Sequence, residues 1–174
     1  MQYYDGTNFR HYNIPRSLKN VSVLCQTTMP QSAFSNCDFV ENVAIVTGAE
    51  MNEKAFYGCS SLKKIMLPAD MIEIGYQAFA ECESLETINI PTRVKTIGPN
   101  AFYNARNLKN ITMPKSITNI ADIIFNGTDL FDADVSLFAS KLTITCTENS
   151  EAYKYAMEHH IPVNKVSEEQ LNIS

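Results

Sequence analysis

Between Ala55 and Ile123 the chain repeats one phrase three times: AFYGCSSLKKIMLPADMIEIGYQ, AFAECESLETINIPTRVKTIGPN and AFYNARNLKNITMPKSITNIADI. The Ala-Phe pair that opens each copy also stands at Ala33-Phe34, and a degenerate pair stands at Ile124-Phe125. Successive phenylalanines are therefore 22, 23, 23 and 23 residues apart. A near-constant interval in the range of about 20 to 50 residues marks a solenoid, in which each copy is one lap.

Other apolar positions recur with the same period. One copy gives Leu62, Ile65, Leu67, Met71 and Ile74. The next gives Leu85, Ile88, Ile90, Val94 and Ile97, and the next Leu108, Ile111, Met113, Ile117 and Ile120. Looser copies begin at Val40, Val43 and Ile45, and at Leu18, Val21 and Val23. Within each copy, Ile65 and Leu67 alternate with Lys64 and Met66, which predicts a short strand with one face inward. Pro68, Pro91 and Pro114 end that strand by removing an amide donor. The rest of the lap returns the chain to the start of a parallel strand, through a turn or short helix that carries Ala-Phe.

One lap cannot shelter its own inward residues. Stacked laps can, and each buried Leu, Ile or Phe then contributes roughly 1.5–3 kcal/mol. Both ends need caps. Residues 1–17, with Tyr3, Tyr4, Phe9 and Tyr12, break the pattern and are the expected N-terminal cap. Repeats are expected over 18–145, decaying through LFDADVSLFASKLTITC. A C-terminal cap is expected over 146–163, where Ser150 is a good N-cap for a helix in EAYKYAMEHH that stops before Pro162. Residues 164–174 form a polar tail expected to fray.

The pattern LxxIxxPxxVxxIxxxAFxxC, as written from Leu85 to Ala105 with alanine in its last place, resembles a leucine-rich repeat of the BspA-like type. The resemblance runs from residue 18 to about 163, and TITCTENSEAYKYAMEHHIPV resembles the closing segment of such arrays. Val46 stands where later copies have proline, and Ile124 and Thr128 replace the alanine and cysteine. The resemblance implies an α/β solenoid: a right-handed superhelix with short parallel strands on the concave wall, turns or short helices on the convex wall, and a C-terminal capping helix. It also implies a role in adhesion or protein binding, in surface or secreted proteins of host-associated bacteria.

Composition excludes several alternatives. A net charge of −5 and a pI near 5.2 leave no basic stripe for nucleic acid or anionic membrane. No apolar run is long enough to span a bilayer, and MQYYDGTNFRHY does not resemble a signal peptide. Cys37, Cys59 and Cys82 fall at one repeat position, where Ala105 shows that the site asks for smallness and not sulfur. Cys25 and Cys146 are isolated. His159 and His160 are adjacent and face different ways, and His11 stands alone. Neither a nucleophile–base set nor a phosphate-binding loop is present. No enzyme activity, metal or cofactor is expected. Of the sequons at Asn20, Asn110, Asn126 and Asn172, two arise from the repeat phrase LKN, and no glycosylation is inferred.

What remains is the outward face of the strands. By alternation it carries Asn20 and Ser22, Asn42 and Ala44, Lys64 and Met66, Thr87 and Asn89, then Asn110 and Thr112. The candidate binding residues are Asn42, Lys64, Met66, Thr87, Asn89, Asn110 and Thr112. Tyr57 and Tyr103 share another repeat position and offer a second patch. With the resemblance, the expectation is a non-enzymatic protein-binding or adhesion module of a bacterial cell-surface or secreted protein. Its partner would be a host or bacterial surface protein, or a glycan, although the chain holds no Trp. The alternative is a structural spacer or stalk that displays another domain and has no ligand of its own.

Overall fold

The structure, a computed structural model, describes residues 2–4, 9–11, 15–24, 28–125 and 141–171, the first two segments as backbone only. An antiparallel hairpin comes first, β1 (Gln2–Tyr4) against β2 (Phe9–His11). Of the residues expected to cap the N-terminus, Tyr12 lies outside the described residues. Cys25 does too.

Each lap then contributes one strand to each of two walls. The first lap supplies β3 (Asn20–Leu24) and β4 (Thr28–Met29), and the second β5 (Asn42–Thr47) and β6 (Glu50–Met51). The third supplies β7 (Lys64–Met66) and β8 (Glu73–Ile74), and the fourth β9 (Thr87–Asn89) and β10 (Thr96–Ile97). The fifth supplies β11 (Asn110–Thr112) and β12 (Asn119–Ile120). After them come β13 (Thr143–Cys146), α1 (Glu151–Glu158), β14 (Val163–Lys165) and α2 (Glu168–Leu171). Odd-numbered strands from β3 to β13 form the first wall, which β14 extends; even-numbered strands from β4 to β12 form the second. All pairs in both walls are parallel.

Proline sets strand length on the first wall. The laps with Pro68, Pro91 and Pro114 have strands of three residues. In each, the proline carbonyl accepts a hydrogen bond three residues on, from Met71, Val94 or Ile117. Where Val46 replaces the proline, the amide is kept and β5 runs for six residues. The second wall was not foreseen. The segment read as a simple return contains two-residue strands centred on Met29, Met51, Ile74, Ile97 and Ile120.

The third wall carries the Ala-Phe pairs, and of the two forms expected for it, it consists of turns. Its laps are joined by main-chain hydrogen bonds. The Phe34 amide donates to Ala55 at 2.7 Å, Phe56 to Ala78 at 2.8 Å, Phe79 to Ala101 at 2.8 Å and Phe102 to Ile124 at 2.8 Å. Two residues flank each pair in the left-handed region. Ser32, Lys54, Gln77 and Asn100 precede the alanine, with φ between 52° and 55°. Asn36, Gly58, Glu81 and Asn104 lie two places after the phenylalanine, with φ between 56° and 71°. These kinks turn the peptide groups along the solenoid axis, so that each lap reaches the next.

The core is a set of columns. Phe34, Phe56, Phe79, Phe102 and Phe125 stack ring on ring, with centroids 5.1, 5.7, 5.5 and 5.7 Å apart. The column ends on Tyr155 of α1, whose centroid lies 6.3 Å from Phe125. That helix starts as the sequence predicts, with Ser150 Oγ accepting from the Tyr153 amide at 3.1 Å. Its buried Ala152, Tyr155 and Ala156 face the array, and it contacts β12 and β13. Of the tail expected to fray, residues 164–171 lie within the described residues and carry secondary structure. β14 adds a strand beside β13, and α2 buries Leu171 while Glu168 pairs with Lys115 at 2.6 Å.

Candidate protein-binding face

Alternation on the first wall turns Ile65, Ile88 and Ile111 into the core and leaves Lys64, Met66, Thr87 and Asn89 on the surface. Five of the seven candidates, Lys64, Met66, Thr87, Asn89 and Thr112, line one open cleft of about 660 Å3. The prolines that end β9 and β11, Pro91 and Pro114, form part of its side, and Leu171 of α2 closes it. The other two candidates lie apart. Asn42 donates its amide to Asn20 Oδ1 at 2.7 Å, and Asn110 Oδ1 accepts from Thr145 Oγ1 at 3.1 Å. The Thr145 hydroxyl in turn lies 3.4 Å from Asn164 Nδ2. Sequence reasoning missed Thr145 and Asn164, because β13 and β14 fall where the repeat decays.

The face has two characters. Leu24, Val46 and Met66 are exposed apolar side chains on the N-terminal laps, Met66 at 71%. Only Met66 was among the candidates. Leu24 and Val46 lie where β3 and β5 run past the usual strand length, so their outward turn follows from the missing prolines. The later laps present Thr and Asn.

One column along the wall alternates in charge: Lys19, Glu41, Lys63, Glu86, Lys109. Lys19 and Lys63 reach Glu41 at 3.4 and 2.7 Å, and Lys109 reaches Glu86 at 2.9 Å. Hydrogen bonds from Lys63 and Lys19 hold the Glu41 carboxyl below its ordinary range. These pairs are exposed, so each contributes little to stability. The neighbouring ammonium of Lys64 forms no ion pair among the described residues.

The second patch takes a different form from that expected. Lys54 Nζ lies 5.8 Å from the Tyr57 ring and 5.9 Å from the Tyr76 ring, so a lysine of the chain already occupies that aromatic pair. The buried Ala80 stands at the same repeat position between Tyr57 and Tyr103.

The cysteine column is part of the core. Cys59 Sγ donates to the Phe34 carbonyl at 3.1 Å, and Cys82 Sγ to the Phe56 carbonyl at 3.3 Å. Burial pushes the Cys59 thiol up to about 12 and raises Cys37, Cys82 and Cys146. Cys37, Cys59 and Cys82 fill turns and Cys146 ends β13; burial favours the neutral thiol at all four. Among the described residues, no three His, Cys, Asp or Glu side chains are grouped to hold a metal. His159 packs its ring 4.2 Å from that of Tyr155, as a helix-end contact.

Stacked parallel laps, a phenylalanine column and a helical closure are the features of a leucine-rich repeat array. A match to the BspA type leucine-rich repeat region, in 6 copies, spans residues 27–153. The chain belongs to the BspA-type leucine-rich repeat family. Solved relatives agree on the fold. A leucine-rich repeat protein from Bacteroides ovatus is 26% identical, with a TM-score of 0.57 over 87% of this chain and 43% of its own. The T. pallidum leucine-rich repeat protein is 24% identical, with a TM-score of 0.55 over 73% of this chain and 51% of its own. A leucine-rich cell surface protein from Faecalibacterium prausnitzii is 22% identical, with a TM-score of 0.55 over 66% of this chain and 34% of its own. The chain thus spans about half or less of the length of these relatives. No curated protein matches it. Among the described residues, no helix is long and apolar enough to cross a membrane.

Proposed function

We propose that this array is a protein-binding module of a bacterial cell-surface or secreted protein, and that its partner seats on the outward face of the first wall. The observation that carries the reading is the cleft, which brings Lys64, Met66, Thr87, Asn89 and Thr112 from three laps into one concavity. An exposed methionine beside an unpaired lysine and a run of Thr and Asn offers apolar area and adaptable hydrogen bonding together. The F. prausnitzii relative, a cell surface protein, supports placing this array in the same kind of location. Adhesion to a host or bacterial surface protein is the form of binding this reading favours. It assigns the array no reaction.

The test is binding of the purified array to a panel of extracellular-matrix and cell-surface proteins and to a glycan array. The double variant Lys64→Glu, Met66→Ser should weaken the interaction at least tenfold, about 1.4 kcal/mol, with an unchanged melting temperature. Undiminished binding by that variant would refute the site. A folded array that binds nothing on the panel would point to a spacer instead.

A further inference from the structure

α2 belongs to the outward face of the first wall and not to the closure of the solenoid. The closing helix α1 sets Tyr155 and Ala156 into the core. Leu171 of α2 is also buried, but it stands outside the core cluster. It lines the cleft of about 660 Å3, together with Pro91, Thr92 and Pro114. A smaller cavity of about 160 Å3 is bounded by Lys115, Ser116 and Glu168. Thr92, Pro114 and Leu171 line both, so Leu171 stands between the two cavities.

The tail reaches this place by doubling back. β14 is the last strand of the wall, and the Val166 amide still donates to Cys146 beside it at 3.1 Å. Ser167 then starts α2 with a capping box: its amide donates to Gln170 Oε1 at 2.9 Å, and its Oγ accepts from the Gln170 amide at 3.4 Å. One helical turn carries Glu168 to Lys115 at 2.6 Å, just past β11, and Leu171 toward Thr92, just past β9. The hold is slight. The Lys115–Glu168 pair is exposed and contributes little, which leaves one leucine side chain. A helix of four residues is too short to stand alone in water, so α2 keeps its form only while docked.

These contacts are those of a ligand: an aliphatic side chain against two prolines, and a carboxylate one turn earlier on an ammonium. They fill one end of the cleft. At the other, Met66 is exposed and Lys64 forms no ion pair among the described residues. We propose that α2 is a built-in competitor for the binding face, which a partner protein displaces by presenting the same pair. An aliphatic residue of the partner takes the place of Leu171, and a carboxylate one helical turn ahead of it takes the place of Glu168. This rests on the reading of the first wall as the binding face and adds its regulation. A partner segment that fills both positions and continues onto Met66 and Lys64 makes every contact that α2 makes and more, so it prevails over the tethered tail.

The test uses the full chain and a synthetic peptide, SEEQL, which copies residues 167–171 and is blocked at both ends. Leu171→Ser and Glu168→Lys, made separately, release α2. Each variant should bind the peptide at least tenfold more tightly than the unaltered chain, whose own tail holds the face more than about nine-tenths of the time. Binding should shift the amide resonances of Thr92, Lys115 and Ser116. The melting temperature should not change, because α2 takes no part in the core. Lys115→Glu on the Leu171→Ser background should weaken the peptide at least threefold, and a peptide with its first Glu replaced by Lys should recover the loss. Equal peptide binding by the unaltered chain and both variants, or no shift at those amides in any of them, overturns the proposal. A melting temperature that falls by several degrees in both variants also overturns it, since α2 is then part of the closure. The peptide needs no partner, so its failure sinks the competitor alone and leaves the protein panel to judge the wider binding face.

Discussion

Phe79→Ala tests the physics that holds the array together. Phe79 is fully buried at the centre of the phenylalanine column, between Phe56 at 5.7 Å and Phe102 at 5.5 Å, with interplanar angles of 7° and 11°. Truncating a buried phenylalanine to alanine costs about 3–5 kcal/mol in transfer and cavity terms. Each parallel ring contact adds about 0.5–1.5 kcal/mol beyond the buried area. Two contacts are lost, and rigid laps on both sides cannot collapse into the space, so the upper end, about 5 kcal/mol, is expected. Phe79→Leu keeps most of the volume and loses the rings, and should cost about 2 kcal/mol. The assay is urea unfolding followed by circular dichroism. With a slope of about 2 kcal/mol/M, the alanine variant should shift the midpoint by more than 2 M. Because laps are held only by their neighbours, a central lesion should also lower the slope, as the two halves unfold separately. A cost below about 2 kcal/mol for alanine, or an equal cost for leucine, would refute the column as the source of stability.

Two further perturbations address the turns and the thiols. Gln77 adopts φ 52° between Tyr76 and Ala78, a conformation that costs a non-glycine residue roughly 1–2 kcal/mol. Gln77→Gly should therefore raise stability by about 0.5–1 kcal/mol after the added chain entropy is subtracted, read as a rise in melting temperature. The Cys59 thiol rises from 9.0 unfolded to about 12 folded, so the native state binds its proton more tightly. The stability this confers is fully present below pH 9 and is lost as pH rises through about 12. Urea unfolding across that window should show the decline, and Cys59→Ala should blunt it; an identical alkaline profile would rule out the thiol as a contributor.

Much of this was legible in the residues. The interval between Ala-Phe pairs determined the stacking, the phenylalanine column, the cysteine column and the strand-ending role of Pro68, Pro91 and Pro114. Ser150 announced the closing helix. Of the binding face, alternation named the residues that turn outward, and the structure collected five of the seven in one cleft.

The rest depended on where main-chain hydrogen bonds go, which side-chain periodicity does not record. The left-handed positions are occupied by Ser, Asn, Lys, Gln and Glu as well as Gly58, so no residue type signals them. The turn wall sustains them because neighbouring laps bond on both sides. Strands of two residues around Met51 or Ile74 carry no alternation to detect. Residues 164–171 of the polar tail take their structure from β13 and Lys115, partners that no local pattern reveals. Repetition in the sequence determined which side chains leave water together; only the assembled solenoid decided which backbone groups find one another, because those bonds join residues a full lap apart.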